Sequence, residues 1–348
     1  MNKGFNLNNI IRENVKGLKP YSSARDEYVS NGSEMVFLDA NENPFQNGVN
    51  RYPDPQQRNL KSVLAGQKGV GIENILLGNG SDEVLDLIFR AFCEPRIDNI
   101  ITLPPTYGMY AVLANINSVF NKQVVLTADF QPNLEAILDE VDDFTKIVFL
   151  CSPNNPTGNS FTEDKISYLL KNFHGLVVID EAYIDFSKNT SWLTQLHNYP
   201  NLIITQTLSK AYGMAGIRLG ICYASTAIIA ILNKIKPPYN VNELTQQRAM
   251  ERVLNVDRVT QEVKSILEER DTLSKALQAV HFVSKVYDTD ANFVLAKVDD
   301  ANKRYQELLE RGIVIRNRTT QALCENTLRF TVGTPEENIK LIKVLKDI

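Results

Sequence analysis

Short runs of apolar, mostly β-branched residues alternate along the chain with stretches whose apolar positions recur at helical spacing. From Ile75 to Tyr223 the runs are Ile75-Leu76-Leu77, Ile100-Ile101-Thr102-Leu103, Ile147-Val148-Phe149-Leu150, Leu176-Val177-Val178-Ile179, Leu202-Ile203-Ile204-Thr205 and Leu219-Gly220-Ile221-Cys222-Tyr223. They are apolar almost throughout rather than at every second position, so both faces of each strand are expected to be covered. Strands of that kind separated by helices predict an α/β fold, a mostly parallel sheet flanked by helices. Val36-Phe37-Leu38 reads as one more strand ahead of this region.

Further on the rhythm changes. A long helical periodicity without Pro or Gly runs from 242 to about 277. A strand at Phe293-Val294-Leu295, a helix over 301–311, strands at Ile313-Val314-Ile315 and Leu328-Arg329-Phe330, and a helix over 335–347 follow. The last helix opens with a capping box, Thr334 with Glu337, and with Pro335 at its first position, which together fix a helix start. These elements predict a smaller α+β unit. At 348 residues the chain exceeds the usual size of one core. The expected division is an arm over 1–30, polar apart from a short helical pattern near Ile10 and Ile11, a large domain over 31–245 and a small domain over 246–348.

Composition narrows the classes. The residues are 43% hydrophobic and 22% charged, and the net charge is −4 with no basic block, which argues against a nucleic-acid partner. Cys93, Cys151, Cys222 and Cys324 are far apart and only three histidines are present, so neither a metal site nor a disulfide framework is expected. No apolar run is long enough to span a bilayer. The opening Met1-Asn2-Lys3-Gly4-Phe5-Asn6 lacks the apolar core of a signal peptide. The expectation is a cytoplasmic protein without a membrane partner.

The most informative stretch is Thr207-Leu208-Ser209-Lys210-Ala211-Tyr212-Gly213-Met214-Ala215-Gly216-Ile217-Arg218. An amine between small and hydroxyl residues can condense with an aldehyde, while the hydroxyl and a guanidinium eight positions on can hold a phosphate. That combination suits pyridoxal phosphate, although a lone lysine in a glycine-rich loop is more often a surface residue. Other segments add weight. In open α/β sheets, ligands bind beyond the carboxyl ends of the strands. Tyr107, Asn155, Asp180 and Lys210 follow four successive apolar runs. Asp180 suits either a helix N-cap or a buried acid facing a cationic ring nitrogen. Gly80, Ser81 and Asp82 make either an ordinary glycine turn or a helix start whose N–H groups receive a phosphate. Tyr107 fits a ring-stacking position or the core. Gly69-Val70-Gly71 and Gly78-Asn79-Gly80 do not complete the dinucleotide fingerprint.

As a set, Gly78-Asn79-Gly80-Ser81-Asp82-Glu83, Ser152-Pro153-Asn154-Asn155-Pro156-Thr157-Gly158, Asp180-Glu181-Ala182-Tyr183 and the lysine run resemble the fold-type-I, pyridoxal-phosphate-dependent aminotransferases over nearly the whole chain. Leu18-Lys19-Pro20-Tyr21, Leu38-Asp39-Ala40-Asn41-Glu42-Asn43-Pro44, Arg51-Tyr52-Pro53-Asp54 and Leu328-Arg329-Phe330-Thr331-Val332-Gly333-Thr334 narrow the likeness to the histidinol-phosphate aminotransferases. The resemblance implies that Lys210, Asp180 and Tyr183 are catalytic and that Asn155 and Tyr183 reach the cofactor's phenolic oxygen. Tyr107 would stack on the ring, and Gly80, Ser81, Asp82, Ser209 and Arg218 would hold its phosphate. Tyr52 would reach the cofactor of a neighbouring subunit, giving a homodimer with shared sites. Tyr21, Asn155, Arg316 and Arg329 would bind substrate, with Arg316 and Arg329 accepting phosphate and carboxylate in turn. Arg318 is an extra cation to which the resemblance gives no role. The implied reaction is a ping-pong transamination between histidinol phosphate or imidazole-acetol phosphate and 2-oxoglutarate or glutamate. Within the same fold the motifs also suit an aromatic amino-acid aminotransferase or a threonine-phosphate decarboxylase. A non-catalytic regulator would need a DNA-binding domain, for which the arm is too short.

Overall fold

A computed structural model describes residues 4–20 and 36–348; Tyr21 lies outside them. Two sheets organise the described chain. The larger has seven strands: β1 (Ile75–Asn79), β2 (Asn99–Thr102), β3 (Phe120–Gln123), β4 (Thr145–Cys151), β5 (Leu176–Asp180), β6 (Leu202–Thr207) and β7 (Leu219–Ala224), in the order β1-β7-β6-β5-β4-β2-β3. The smaller has β8 (Val283–Val286), β9 (Phe293–Val298), β10 (Arg316–Asn317) and β11 (Thr327–Thr331), in the order β10-β11-β9-β8, antiparallel throughout. After the single turn α1 (Glu13–Lys16) come α2 (Arg58–Lys68), α3 (Gly80–Phe92), α4 (Met109–Ile116), α5 (Leu134–Asp139), α6 (Glu163–Asn172), α7 (Thr226–Ile235), α8 (Glu243–Leu254), α9 (Val256–Gln278), α10 (Ala301–Glu310) and α11 (Pro335–Asp347).

The apolar runs become strands because alternate side chains serve opposite layers. In β4, Val148 and Leu150 join the core that includes α6, while Ile147 and Phe149 join the one built on α3. Every residue of β5, β6 and β7 is buried. Each fully buried Leu, Ile or Val stabilises by roughly 1.5–3 kcal/mol, so this central stack anchors the fold. The small sheet has its own core, with Leu273 and Leu277 of α9, Leu308 of α10 and Leu341 and Leu345 of α11 packed on Val294, Ala296, Leu328 and Phe330. The Thr334–Glu337 capping box and Pro335 start α11 as expected. No helix among the described residues is long and apolar enough to cross a membrane.

Some expected elements differ. Val36–Leu38 forms no strand; Val36 and Leu38 lie 80% and 85% exposed, with no ladder among the described residues to pair with. The ladder expected at Ile313–Ile315 begins at Arg316 instead, because Gly312, at φ 74°, and the Ile313 N–H to Leu308 carbonyl bond close α10 and turn the chain away first. The periodicity from 242 is two helices, interrupted at Asn255, whose ψ of 58° is not helical. The unanticipated strands, β3 and β8, are sheet edges, where polar residues such as Asn121, Lys122, Ser284 and Lys285 replace the apolar signal.

One topological detail positions everything else. In the larger sheet β7 alone runs antiparallel to its neighbours, between β1 and β6. Its first residues therefore stand at the rim where the other strands end. Gly220 there faces the start of α3: a Cβ on it would lie 2.3 Å from the Ser81 nitrogen and 2.4 Å from the Gly80 carbonyl carbon. Gly220→Ala should therefore destabilise by about 1–3 kcal/mol. Gly66, inside α2 with open space around it, should gain about 0.5–1 kcal/mol when replaced by alanine. Urea unfolding midpoints at unchanged slope measure both, and equal effects would contradict the packing described.

Candidate active site

The rim of the large sheet holds a cavity of about 150 Å³ lined by Ser81, Asp82, Tyr107, Cys151, Asn155, Asp180, Ala182, Tyr183, Thr207, Ser209, Lys210 and Arg218. Each wall comes from a strand end. Thr207 ends β6 and Lys210 follows it, where a tight turn closes through the Gly213 N–H to Lys210 carbonyl bond and the Met214 N–H to Leu208 carbonyl bond. Lys210 as a residue is exposed, yet the surrounding walls, and then the charge of Arg329, push its ammonium pKa down. Its Nζ stands 5.5 Å from the centre of the Tyr183 ring.

Asp180 is the last residue of β5 and only 3% exposed. Rather than capping a helix, it accepts the Ala182 N–H at 3.2 Å and the Tyr110 hydroxyl at 2.8 Å. Tyr110 is fully buried and stacked on Phe149 at 4.9 Å. Burial holds the Asp180 carboxyl above the usual carboxylate range, against the opposing pull of these donors. A buried carboxylate with two donors and, among the described residues, no ion-paired cation is costly alone and suited to a cationic partner. Tyr110 escaped the sequence reading; it stands in the first turn of α4, its ring edge-on to that of Tyr107 at 5.6 Å.

At the opposite side, α3 begins at Gly80, whose φ is 77°. The Gly80 N–H is already donated to the Arg218 carbonyl at 2.9 Å, so the helix start offers the next N–H groups, at Ser81 and Asp82, which have no intrahelical acceptor. Arg218 itself holds a left-handed φ of 55°, a conformation that costs a non-glycine residue of order 1 kcal/mol or more. That conformation lays its guanidinium across the helix start: a Cβ on Gly80 would lie 2.5 Å from Arg218 Nη2. Asp82 faces Arg218 at 3.8 Å and accepts the Tyr107 hydroxyl at 3.0 Å, orienting both.

Asn155 is held by its loop. Its neighbour Asn154, wholly buried, donates to the Pro105 carbonyl at 2.9 Å and to Thr157 Oγ1 at 2.7 Å. Asn155 Oδ1 in turn accepts a hydrogen bond from Arg329 Nη1, which brings the small sheet to the cavity. The Arg329 guanidinium lies 4.9 Å from the Phe293 ring, and Phe293 packs edge-on to Tyr183 at 5.2 Å. Burial pushes the Arg329 pKa down to about 10, helped by Arg318. Arg316 pairs directly opposite Arg329 across β10 and β11 and is exposed. Tyr52 is not on these walls: it is stacked on Tyr239 at 4.4 Å beside two surface hollows.

An amine, a buried carboxylate and a helix start with an arginine across it thus share one enclosure, with a further guanidinium bonded to its wall, as in an enzyme acting on amines and anions. The chain matches the family model for aminotransferase class I and II over residues 34–345 and belongs to that family. It is 70% identical, over 98% of both chains, to the histidinol-phosphate aminotransferase of Flavobacterium johnsoniae. Among solved structures, the histidinol-phosphate aminotransferase of Clostridium acetobutylicum aligns with a TM-score of 0.79 at 26% identity, covering 86% of this chain and 90% of that one. The fold is shared, at 22% identity and a TM-score of 0.78, with the Sinorhizobium meliloti histidinol-phosphate aminotransferase solved in complex with pyridoxal-5'-phosphate, over 85% of this chain and 82% of that one.

The raised Asp180 pKa has a thermodynamic consequence. A carboxyl whose folded pKa lies above its unfolded one costs stability at high pH, and the cost vanishes as pH falls through the folded value. Cofactor-free Asp180→Asn protein should therefore be more stable than the parent at pH 8, by roughly 1–3 kcal/mol, with the gap closing towards pH 4. Thermal melts at both pH values check this; a variant less stable at pH 8 would contradict it.

Proposed function

We propose that the chain is a histidinol-phosphate aminotransferase that uses pyridoxal 5'-phosphate to exchange an amino group between histidinol phosphate and 2-oxoglutarate. The observation that carries the reading is the meeting of the Lys210 amine, the buried Asp180 carboxylate and the Arg218-covered helix start in one cavity, with Arg329 bonded to its wall residue Asn155. The family and the near-full-length relatives of that name support it.

The donor set fits the cofactor. Lys210 would receive its aldehyde, Asp180 its ring nitrogen, and Ser81, Asp82, Ser209 and Arg218 its phosphate; Tyr107 would cover one ring face and Asn155 and Tyr183 would meet the phenolic oxygen. When bound, pyridoxal phosphate supplies an aldehyde that takes up and returns the amino group and a ring that delocalises the charge left at the substrate carbon. The protein's part is positional and protonic. Asp180, held by Tyr110 and Ala182, would present its carboxyl to the ring nitrogen in a fixed position. The lowered Lys210 pKa keeps more of its Nζ neutral near pH 7, so that nitrogen can accept and return the proton. Arg329 and Arg316, opposite one another on β11 and β10, would take the anionic end of either substrate, since a guanidinium fork accepts carboxylate and phosphate alike.

A homodimer with shared sites completes the reading. Tyr52 lies off the cavity on a surface that also exposes Val36, Phe37, Phe45, Val49 and Leu244, apolar cover that a second copy would bury. Four free, buried cysteines fit a reducing cytoplasm.

Lys210→Ala should lose turnover by at least about a thousandfold while its circular dichroism and melting point stay near the parent's; full turnover in that variant would sink the assignment. Substrate is decided by single-turnover titration of the yellow holoenzyme with histidinol phosphate, phenylalanine and threonine phosphate. The cofactor band should bleach fastest with histidinol phosphate. Preference for phenylalanine would make the chain an aromatic aminotransferase, and carbon dioxide from threonine phosphate would make it a decarboxylase.

A further inference from the structure

Arg318 continues the β10 edge: its N–H donates to the Thr327 carbonyl at 2.9 Å, one step beyond the Arg316–Arg329 and Asn317–Leu328 pairs. Side chains two residues apart on a strand share a face, as do those directly opposite across an antiparallel ladder. Arg316, Arg318 and Arg329 therefore project from one face of a two-stranded ribbon. Like charges so placed repel. Nothing nearby cancels them: among the described residues no carboxylate pairs with any of the three. Arg318 and Arg329 each keep a buried Nε without a hydrogen-bond partner.

The ribbon faces the cavity. Arg329 touches Asn155, a cavity wall. The charges of Arg329 and Arg318 both act on the hydroxyl of Tyr183, another wall residue, opposing the rise that burial gives it. Arg318 is thus half-buried beside the cavity, cationic and unengaged. One fork suffices for a carboxylate, whereas a phosphate monoester carries close to two charges above its second pKa near 6 and three acceptor oxygens.

We propose that Arg318 is a specificity-determining residue that, beside Arg316 and Arg329, holds the dianionic phosphate of the amine substrate and contributes little to binding of glutamate. The inference rests on the function proposed above and names the group that separates its two substrates. It accounts for an arginine that the sequence reading left without a role.

The test compares parent, Arg318→Gln and Arg318→Lys holoenzymes. KM and kcat are measured separately for histidinol phosphate and for glutamate, and inhibition by inorganic phosphate is followed from pH 5.5 to 7.5. In Arg318→Gln the KM for histidinol phosphate should rise about tenfold to a hundredfold, the loss expected for one charge-assisted hydrogen bond. Its kcat and the KM for glutamate should stay within about threefold. The inhibition constant of inorganic phosphate should rise in parallel, and its tightening as the second proton leaves should flatten. Arg318→Lys should fall between. Equal changes in both KM values, or none in either, would overturn the proposal. If Arg318→Gln does not fold, Arg318→Lys decides: a rise confined to the phosphate substrate supports the role, and no selective rise refutes it. A parent enzyme that ignores histidinol phosphate would instead refute the function on which the inference rests.

Discussion

A sheet covered on both faces has no room for polar chemistry except at the ends of its strands, and the rest of this structure follows from that constraint. β5 and β6 are buried at every position, so the first place a carboxylate or an amine can stand is where the strand stops or the following loop begins. Asp180 is that last residue on β5, and Lys210 lies three residues beyond the end of β6. The reversal of β7 adds to the same rim a strand beginning instead of a strand end, which places Arg218 against the start of α3. An anion site built only from parallel strand ends would lack this cation.

The second theme is charge held out of balance. Among the described residues Asp180 is buried with donors and no ion-paired cation, and three arginines share a face without a paired carboxylate. Either arrangement costs folding free energy in the empty protein. They have opposite signs and occupy different walls, so a ligand that is cationic at its ring nitrogen and a substrate that is anionic at its far end would relieve them separately. Such stored imbalance is what a binding site for charged partners requires, and a stability optimum would have removed it.

Most of the large sheet was legible in the sequence because its strands are apolar throughout, a pattern that amphipathic helices do not share. The edges were not legible: β3 and β8 carry Asn, Lys and Ser where solvent takes one face, and the apolar Val36–Leu38 run misled because hydrophobicity alone cannot supply a neighbour to pair with. The residues at the cavity were named individually from their motifs, and the structure brings Ser81, Asp82, Tyr107, Asn155, Asp180, Tyr183, Ser209, Lys210 and Arg218 to one enclosure. Contacts made through a third residue stayed hidden. Tyr110 acts on Asp180 from 70 positions away, and Phe293 braces both Tyr183 and Arg329 from the other sheet. Gly80 was read as a free donor, but its N–H belongs to Arg218, which only the antiparallel course of β7 makes possible.

That Arg316 and Arg329 stand on a different sheet from the one that carries Lys210 has a geometric consequence. The spacing between Lys210 and these arginines is set by how the two sheets meet. The meeting is specific: Arg329 to Asn155, the Asp290 N–H to the Gly158 carbonyl at 2.7 Å, Ser160 to Asp290 at 2.6 Å, and the buried Arg270 to the Phe186 and Ala291 carbonyls at 3.4 and 2.9 Å. The first three of these bonds fall on the loop after β4, the same segment that carries Asn155. That loop therefore ties the cavity wall to the small sheet. If the function proposed above holds, its internal ties through Asn154 and Thr157 would bear on substrate length as the arginines bear on substrate charge.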